Sequence, residues 1–383
     1  MQLKISTIAC AFLATTTLFA QDYISVQYMS FYEDSGRTTI HTPSFEINKD
    51  FGADYTLNIS AVHDSVSGAS PTFYDATSGA SATLPDGHTY TSDIVYGNIP
   101  YEDDRKAISL NLTKRFLSRD ELIVGYSYSD ENDYRSNELS AQYLHYLDSS
   151  KNRSLSIGAS YQKNDVSIYC FMGTLDCDSI SGASSKVKKR DLDVINFEVG
   201  YTQILDKNSM LKGSLFMINE DGYLSNPYMR IVRNFSTSPI IAPEQKPDKR
   251  SAYGVTLEYT KALTQNLSSI ISYRFYDDDW DITSHTIDLR ANYEWSKRTT
   301  LGVDFRAYTQ SKAKFYSAKK VFFTDQKYAS SDRRVSDFDS FNYAFTIKHK
   351  ISKKITLNTG VGYYEQPDYF DATYINFGLK YGF

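Results

Sequence analysis

The groups on this chain that could do chemistry are scattered. Six histidines, three cysteines and 46 acidic side chains are present. No glycine-rich phosphate loop, nucleophile elbow or paired-histidine metal pattern organises them. One hydrolytic grouping can be drawn, in which Asp64, Ser67 and His88 supply an acid, a hydroxyl and an imidazole. Polar loop residues in water are the plainer reading of the same three, so the expectation is no enzyme, no cofactor and no metal. Acidic runs at Glu102-Asp103-Asp104, Asp130-Glu131-Asn132-Asp133 and Asp277-Asp278-Asp279-Trp280-Asp281 could share a divalent cation, although solvated charge is the default for such runs. Cys170 and Cys177 have no histidine beside them and could close a small disulfide loop in an oxidising compartment.

The elements that would position these groups show a repeated two-residue alternation. Ile375, Phe377, Leu379, Tyr381 and Phe383 alternate with Asn376, Gly378, Lys380 and Gly382. Ile287, Leu289, Ala291, Tyr293 and Trp295 alternate with Asp288, Arg290, Asn292 and Glu294, and the stretch 355–363 behaves likewise. In a strand, two such sets face opposite sides. The apolar set suits lipid and the polar set a wet interior, although a soluble sandwich could show the same pattern locally. On the interior set, neighbouring strands could place Arg274, Arg290 and Arg306 opposite Asp288 and Asp304, a row of alternating charge along the wall.

Composition narrows the choice. Tyr (32) and Phe (22) are abundant and Trp (2) is rare. No apolar run of about 20 residues, the length a membrane helix needs, follows the first twenty positions. Transmembrane strands need no such run, because they are apolar only at every second residue. The first twenty positions read as a secretory signal peptide, with Lys4, a mostly apolar stretch over 5–18, and Ala20 before Gln21. Cleavage there removes Cys10 and leaves 21–383 as one domain. Its charge becomes −6, against −5 for the whole chain, too mild a balance to point to nucleic acid.

The connections decide between barrel and sandwich. Short polar turns at 118–120, 149–152, 206–209, 264–266, 296–298 and 352–354 alternate with longer connections at about 67–103, 165–189, 221–248 and 311–339. That asymmetry defines an all-β fold, an antiparallel transmembrane β-barrel with short periplasmic turns and long extracellular loops. About sixteen strands fit between Tyr23 and Phe383, with fourteen or eighteen left open. The expected location is the outer membrane of a Gram-negative bacterium. Pro43 lies inside the strand near 37–49, which predicts a late start or a bulge there. Tyr28, Tyr55, Tyr126, Tyr161, Tyr201, Tyr253, Tyr273 and Tyr293 suit interfacial girdles. The basic cluster Lys186, Lys188, Lys189 and Arg190 falls on the loop side, where it could meet lipopolysaccharide phosphates. Phe383 is the contact expected for the barrel-assembly machinery. A barrel this wide is porin-like and holds an aqueous channel unless loops fill it. The expected function is a passive pore or solute-translocation component. The alternatives are a plugged or structural barrel serving periplasmic or surface proteins, and a rim enzyme.

Five stretches resemble a bacterial family of unknown function, the family numbered 3570. They are Asp64-Ser65-Val66-Ser67-Gly68-Ala69-Ser70-Pro71, Gly222-Tyr223-Leu224-Ser225-Asn226-Pro227-Tyr228, Tyr273-Arg274-Phe275-Tyr276 with Thr286, Tyr308-Thr309-Gln310-Ser311 with Phe315-Tyr316, and Tyr363-Tyr364-Glu365-Gln366. Ala307 before Tyr308, and the two-cysteine loop, depart from the pattern. The resemblance implies an exported barrel and carries over no catalytic residue. Asp64, Ser67, Gly68, Ser70, Gly222, Asn226 and Pro227 are expected at the barrel mouth. There Gly68 and Gly222 would permit unusual φ, and Pro71 and Pro227 would stop the ladder.

Overall fold

A backbone that alternates over most of its length can satisfy its polar groups only by pairing with neighbouring strands, and in hydrocarbon that pairing must close on itself. The computed structural model describes residues 22–34, 36–75, 82–83, 89–90, 94–170, 186–233, 240–317, 326–367 and 369–383. Sixteen strands form a closed antiparallel barrel in sequence order. They are β1 (Tyr23–Glu33), β2 (Thr38–Phe51), β3 (Tyr55–Asp75), β4 (Ile94–Arg115), β5 (Glu121–Asp130), β6 (Tyr134–Tyr146), β7 (Arg153–Cys170) and β8 (Lys186–Asp206), followed by β9 (Ser209–Gly222), β10 (Lys249–Ala262), β11 (Leu267–Asp278), β12 (Thr283–Ser296), β13 (Thr299–Gln310), β14 (Phe338–Lys350), β15 (Ile355–Gln366) and β16 (Phe370–Gly382). Closure is made by β1 on β16, in register from Tyr23↔Gly382 to Glu33↔Ala372. The first strand begins, and the last one ends, on the short-turn side.

The apolar sets point outward. Val26, Leu110, Leu139, Ile195, Leu215, Leu257, Val303 and Phe377 are among the exposed large side chains, and together they form a belt round the wall. Tyrosines mark its two edges. Toward the loops, Tyr161 donates to Asp193 at 2.7 Å, Tyr126 donates to Asn137 at 3.1 Å, and Tyr28 and Tyr273 bond His41 and His285 at 3.0 and 2.8 Å. Each bond ties the hydroxyl of an amphipathic ring to a polar group on the adjacent strand, as suits an interface. Tyr55, Tyr201 and Tyr293 stand exposed at the turn-side edge.

Three expectations need correction. β2 runs through Pro43 with neither a late start nor a bulge: the pairs His41↔Ser65 and Ser44↔Val62 keep one register, and pairing toward β3 lapses only at Thr42 and Pro43. A missing donor thus breaks a rung without shifting the ladder. The strands also run into the connections at 67–103 and 165–189: β3 pairs with β4 as far as Asp75↔Ile94, and β7 with β8 as far as Cys170↔Lys186. Pro71 does not stop β3. The β2 ladder ends at Thr38↔Gly68, so beyond that point β3 is an edge on one side, and an edge tolerates proline. Gly68 sits within this strand, paired with Tyr101.

On the turn side, Asp120 clasps β6. Its carboxylate accepts from the Tyr143 hydroxyl at 2.8 Å and the Tyr146 amide at 3.1 Å, and it bonds His145 at 3.0 Å and Ser118 at 3.0 Å. The Tyr143 hydroxyl, the Tyr146 amide, His145 and Ser118 hold the Asp120 carboxyl down to about 2, against 3.8 ordinarily. A carboxyl with a depressed folded pKa contributes stability that is complete above its unfolded value and fades as the pH falls through the folded one. Asp120→Asn is therefore expected to lower the unfolding temperature of the detergent-solubilised barrel near neutral pH. The gap to wild type should narrow from about pH 4 to pH 2, read from the heat-dependent shift in gel mobility.

Candidate functional site

The lumen carries the charge row, in altered form. Asp288 pairs with Arg306 and Arg290 with Asp304 in the β12–β13 ladder. In both ion pairs the guanidinium Nε lies 2.5 Å from a carboxylate oxygen. Arg274 does not join them. Its register partners are Thr256 and Thr286, and its guanidinium lies 4.5 Å over the Phe216 ring. The strand register sets this: Ser272, two residues earlier, faces Asp288. Two of the three arginines are thus matched by aspartates on the adjacent strand.

Above the row, the loops are folded. The 223–248 connection contains a two-stranded ribbon, Arg230–Arg233 with Ile240–Pro243. It bridges to the 311–337 connection through Gln245↔Ala329. Apolar residues drive the association. Trp280, Ile282, Ala313, Phe315 and Val335 form one cluster, with Leu224 and Tyr276 packed on it, and Ile231, Ala242 and Ala329 form a second. Between the loops lies a buried charge network. Lys246 Nζ stands 3.0 Å from Glu244 and 2.9 Å from Asp332, and Arg334 Nη2 stands 2.5 Å from Asp332. Ser330 Oγ donates to Glu244 at 2.5 Å. Burial opposes charge on Asp332, but Arg334 and Lys246 outweigh it and hold that carboxyl far below its usual range. Burial and the neighbouring Asp332 push Glu244 upward. The ribbon reaches β3, six strands round the wall from β9. Arg333 stacks at 4.3 Å on Tyr369, between β15 and β16. The two loops therefore form a cap that bridges the mouth.

Stretches singled out in the sequence anchor this cap. Gly222 ends β9 at φ +131°, and a Cβ there would come within 2.2 Å of the Asp191 carbonyl. Ser225 accepts from the Lys246 amide at 2.9 Å, and the Asn226 amide donates to Glu244. Asn226 also accepts from the Tyr228 amide at 3.0 Å, so Pro227 occupies a turn rather than a strand end. Gln310 donates to the Ser336 carbonyl at 2.5 Å, and Phe315 packs edge-on against Trp280. Asp278 is buried rather than solvated. It accepts from Arg250 Nη2 at 2.6 Å and from the amides of Trp280 and Ile282 at 2.9 and 3.0 Å.

The remaining candidates stay apart. Asp64 points inward, buried 3.5 Å from Arg105, whereas Ser67 is exposed on the outer face. His88 and Cys177 lie outside the described residues, as do the side chains of Ser70, Cys170 and Lys186. Lys189 is exposed in phase with the outward set, while Lys188 and Arg190 take the other phase, so that basic cluster is divided between faces. Two acidic runs do converge. Asp103, Glu131 and Asp133 bring carboxylate oxygens within 4.8 Å of one another. Burial, with Asp103 alongside, pushes Glu131 up to about 7. Among the described residues this is the group whose spacing could accept a divalent cation.

Fold and capped mouth define the class, a sixteen-stranded transmembrane barrel of the outer-membrane type with its loops folded over one end. The chain belongs to the family described as Protein of unknown function (DUF3570), whose profile matches residues 4–375. It is similar in structure to CdiB from Acinetobacter baumannii, with TM-score 0.52, 10% identity, and coverage of 95% of this chain and 60% of that one. A mutant of the ferric enterobactin receptor PfeA from Pseudomonas aeruginosa gives TM-score 0.49 at 10% identity, covering 91% of this chain and 54% of that one. A bacterial polysaccharide outer membrane secretin gives 0.47 at 8% identity, covering 96% and 100%. The chain spans little more than half the length of the first two. At such identity the likeness is one of fold. No curated protein matches the sequence.

Lys246→Met should loosen the cap and leave the barrel intact. Removing one partner of a buried ion pair costs about 3–5 kcal/mol. Limited proteolysis is expected to cut the 223–248 and 311–337 connections faster than in wild type, with the heat-dependent gel shift unchanged.

Proposed function

We propose that this protein is a solute-translocation barrel of the Gram-negative outer membrane whose loop-side mouth is closed by the cap, so that passage is gated. The observation that carries the reading is the buried Glu244–Lys246–Asp332 cluster, with the exposed Arg334 at its edge, which joins two loops across the mouth of a polar lumen. A barrel of this strand number is wide enough for an aqueous path, and a folded cap at one end restricts it. The apolar belt, the interfacial tyrosines and the leader-type segment at 1–20 support the placement. Lys106, Arg135, Lys163 and Lys189 stand exposed above the belt on β4, β6, β7 and β8, positions from which they would meet lipopolysaccharide phosphates. Phe383 would present the last strand to the assembly machinery. The reading is non-catalytic, since it uses no nucleophile and no general base.

Because Arg290 and Arg306 are matched by aspartates, leaving Arg274 as the one row arginine without a carboxylate across its ladder, charge selection is expected to be weak. Planar-bilayer recording tests the reading. Wild type should be closed for most of the record, and Lys246→Met should raise the open fraction by about tenfold or more, in line with the cost of breaking a buried pair. Both open states should discriminate poorly between cations and anions. A wild-type protein that conducts steadily overturns the gate. A folded Lys246→Met barrel that stays silent overturns translocation and favours a structural barrel acting with protein partners.

A further inference from the structure

Beneath the cap, the wall formed by β13–β16 and β1 holds a recess of ≈ 320 Å³. Its lining includes Phe31, Tyr364 and Tyr374 along with Arg306, Ser340 and Asn342. The volume lies at the lower end of the range for small-molecule sites, which are characteristically apolar hollows carrying a few placed polar groups.

The rings are held in fixed positions. Tyr374 faces Phe31 across the closing seam and lies against Gly362, where a Cβ would come within 2.1 Å of the ring. Its hydroxyl donates to Asn342 at 3.1 Å. Tyr364 packs on Phe370 with centroids 5.3 Å apart. Phe370 in turn meets Tyr369, the ring on which Arg333 of the cap is stacked. Aromatic faces are thus presented at the wall below the cap without the entropy cost of fixing a long side chain.

The polar edge is neutral in sum. Arg306 is bound to Asp288, with 55% and 35% of the two side chains still accessible, so the pair offers donors and acceptors together. The Asn342 amide has hydrogen-bonding capacity beyond the Tyr374 bond. A free anion would have to displace Asp288, and a wholly apolar solute would strip water from the half-exposed Arg306–Asp288 pair and from Asn342 without replacing its hydrogen bonds, which is costly. A neutral polyhydroxylated ring meets both demands, because its C–H face lies on an aromatic plane while its hydroxyls reach charged and amide partners.

Resting on the translocation reading, we infer that the recess is a saccharide subsite for a neutral mono- or disaccharide unit on the path through the barrel. The test is isothermal titration of the purified barrel, in wild-type and Lys246→Met form so that the cap does not limit access. The probes are maltose, cellobiose, inorganic phosphate and benzamide.

A sugar is expected to bind. Tyr364→Ala and the paired Arg306→Ala/Asp288→Ala should each weaken it about five- to tenfold, the scale of a lost stacking contact. Tyr364→Phe, which keeps the ring, should bind about as wild type, and the heat-dependent gel shift verifies folding of each variant. Sugar binding that ignores Tyr364→Ala, no sugar binding in either form, or tighter binding of phosphate or benzamide overturns the assignment. Conductance opened by Lys246→Met without sugar binding removes the subsite and keeps the gate. Ring-dependent sugar binding in a barrel that never conducts keeps the subsite and removes the path.

Discussion

In hydrocarbon a peptide group without a partner costs several kcal/mol, so a strand that enters a membrane must be paired on both edges. Here the requirement is met at the β1–β16 seam, where eleven residues of β1, Tyr23 to Glu33, find partners. Closure makes each strand two-faced, which places the tyrosine-bordered belt outside and the Arg–Asp pairs inside. The even strand number starts β1 and ends β16 on one side, and so leaves eight connections free to elaborate on the other. The cap and the recess beneath it exist because those connections need not span anything.

Within the cap, the physical problem is inverted. Loops at an aqueous mouth have no obligation to bury charge, yet Lys246, Glu244 and Asp332 are buried together. Replacing such a group with apolar residues would often be no less stable. What the charges add is specificity of arrangement. Lys246 accepts only a geometry in which the two loops bring Glu244 and Asp332 to the same point, whereas the apolar clusters around Trp280 and Ile231 would tolerate several packings. The cap is held in one arrangement by polar contacts and held together by apolar ones.

The sixteen strands, their turns and the outward tyrosines were legible because period-two alternation is local: each residue's face follows from its neighbours in sequence. The charge row was legible in composition but only partly in pairing. Whether Arg274 meets Asp288 depends on a two-residue offset between β11 and β12, which residue types do not encode. Pro43 and Pro71 misled in the same way, since the cost of a missing donor depends on whether a neighbouring strand needs it. The cap was not legible. Lys246 and Asp332 lie 86 positions apart in connections that show no period, and Asp278 looked like one acid in a solvated run. The nearest signal was indirect: the stretches at 222–228, 308–311 and 315–316 that carry the family resemblance proved to be the cap's footings.

All of the cap's roots lie on one arc of the wall, at β9–β10, β11–β12 and β13–β14, while among the described residues the rest of the wall is leaned upon by the ribbon at β3, by Tyr228 at Asp133 and by Arg333 at Tyr369. Mechanically this is a trapdoor rather than a cork. A cork leaves by dissolving its own interior, but a trapdoor keeps its interior and gives up the latch. If it lifts, the contacts with β3, Asp133 and Tyr369 break, and the Lys246 network is what keeps the two loops rigid enough to reach them. In the gated reading proposed above, a gap would therefore open first over β1–β6, beside the β1 edge of the aromatic recess.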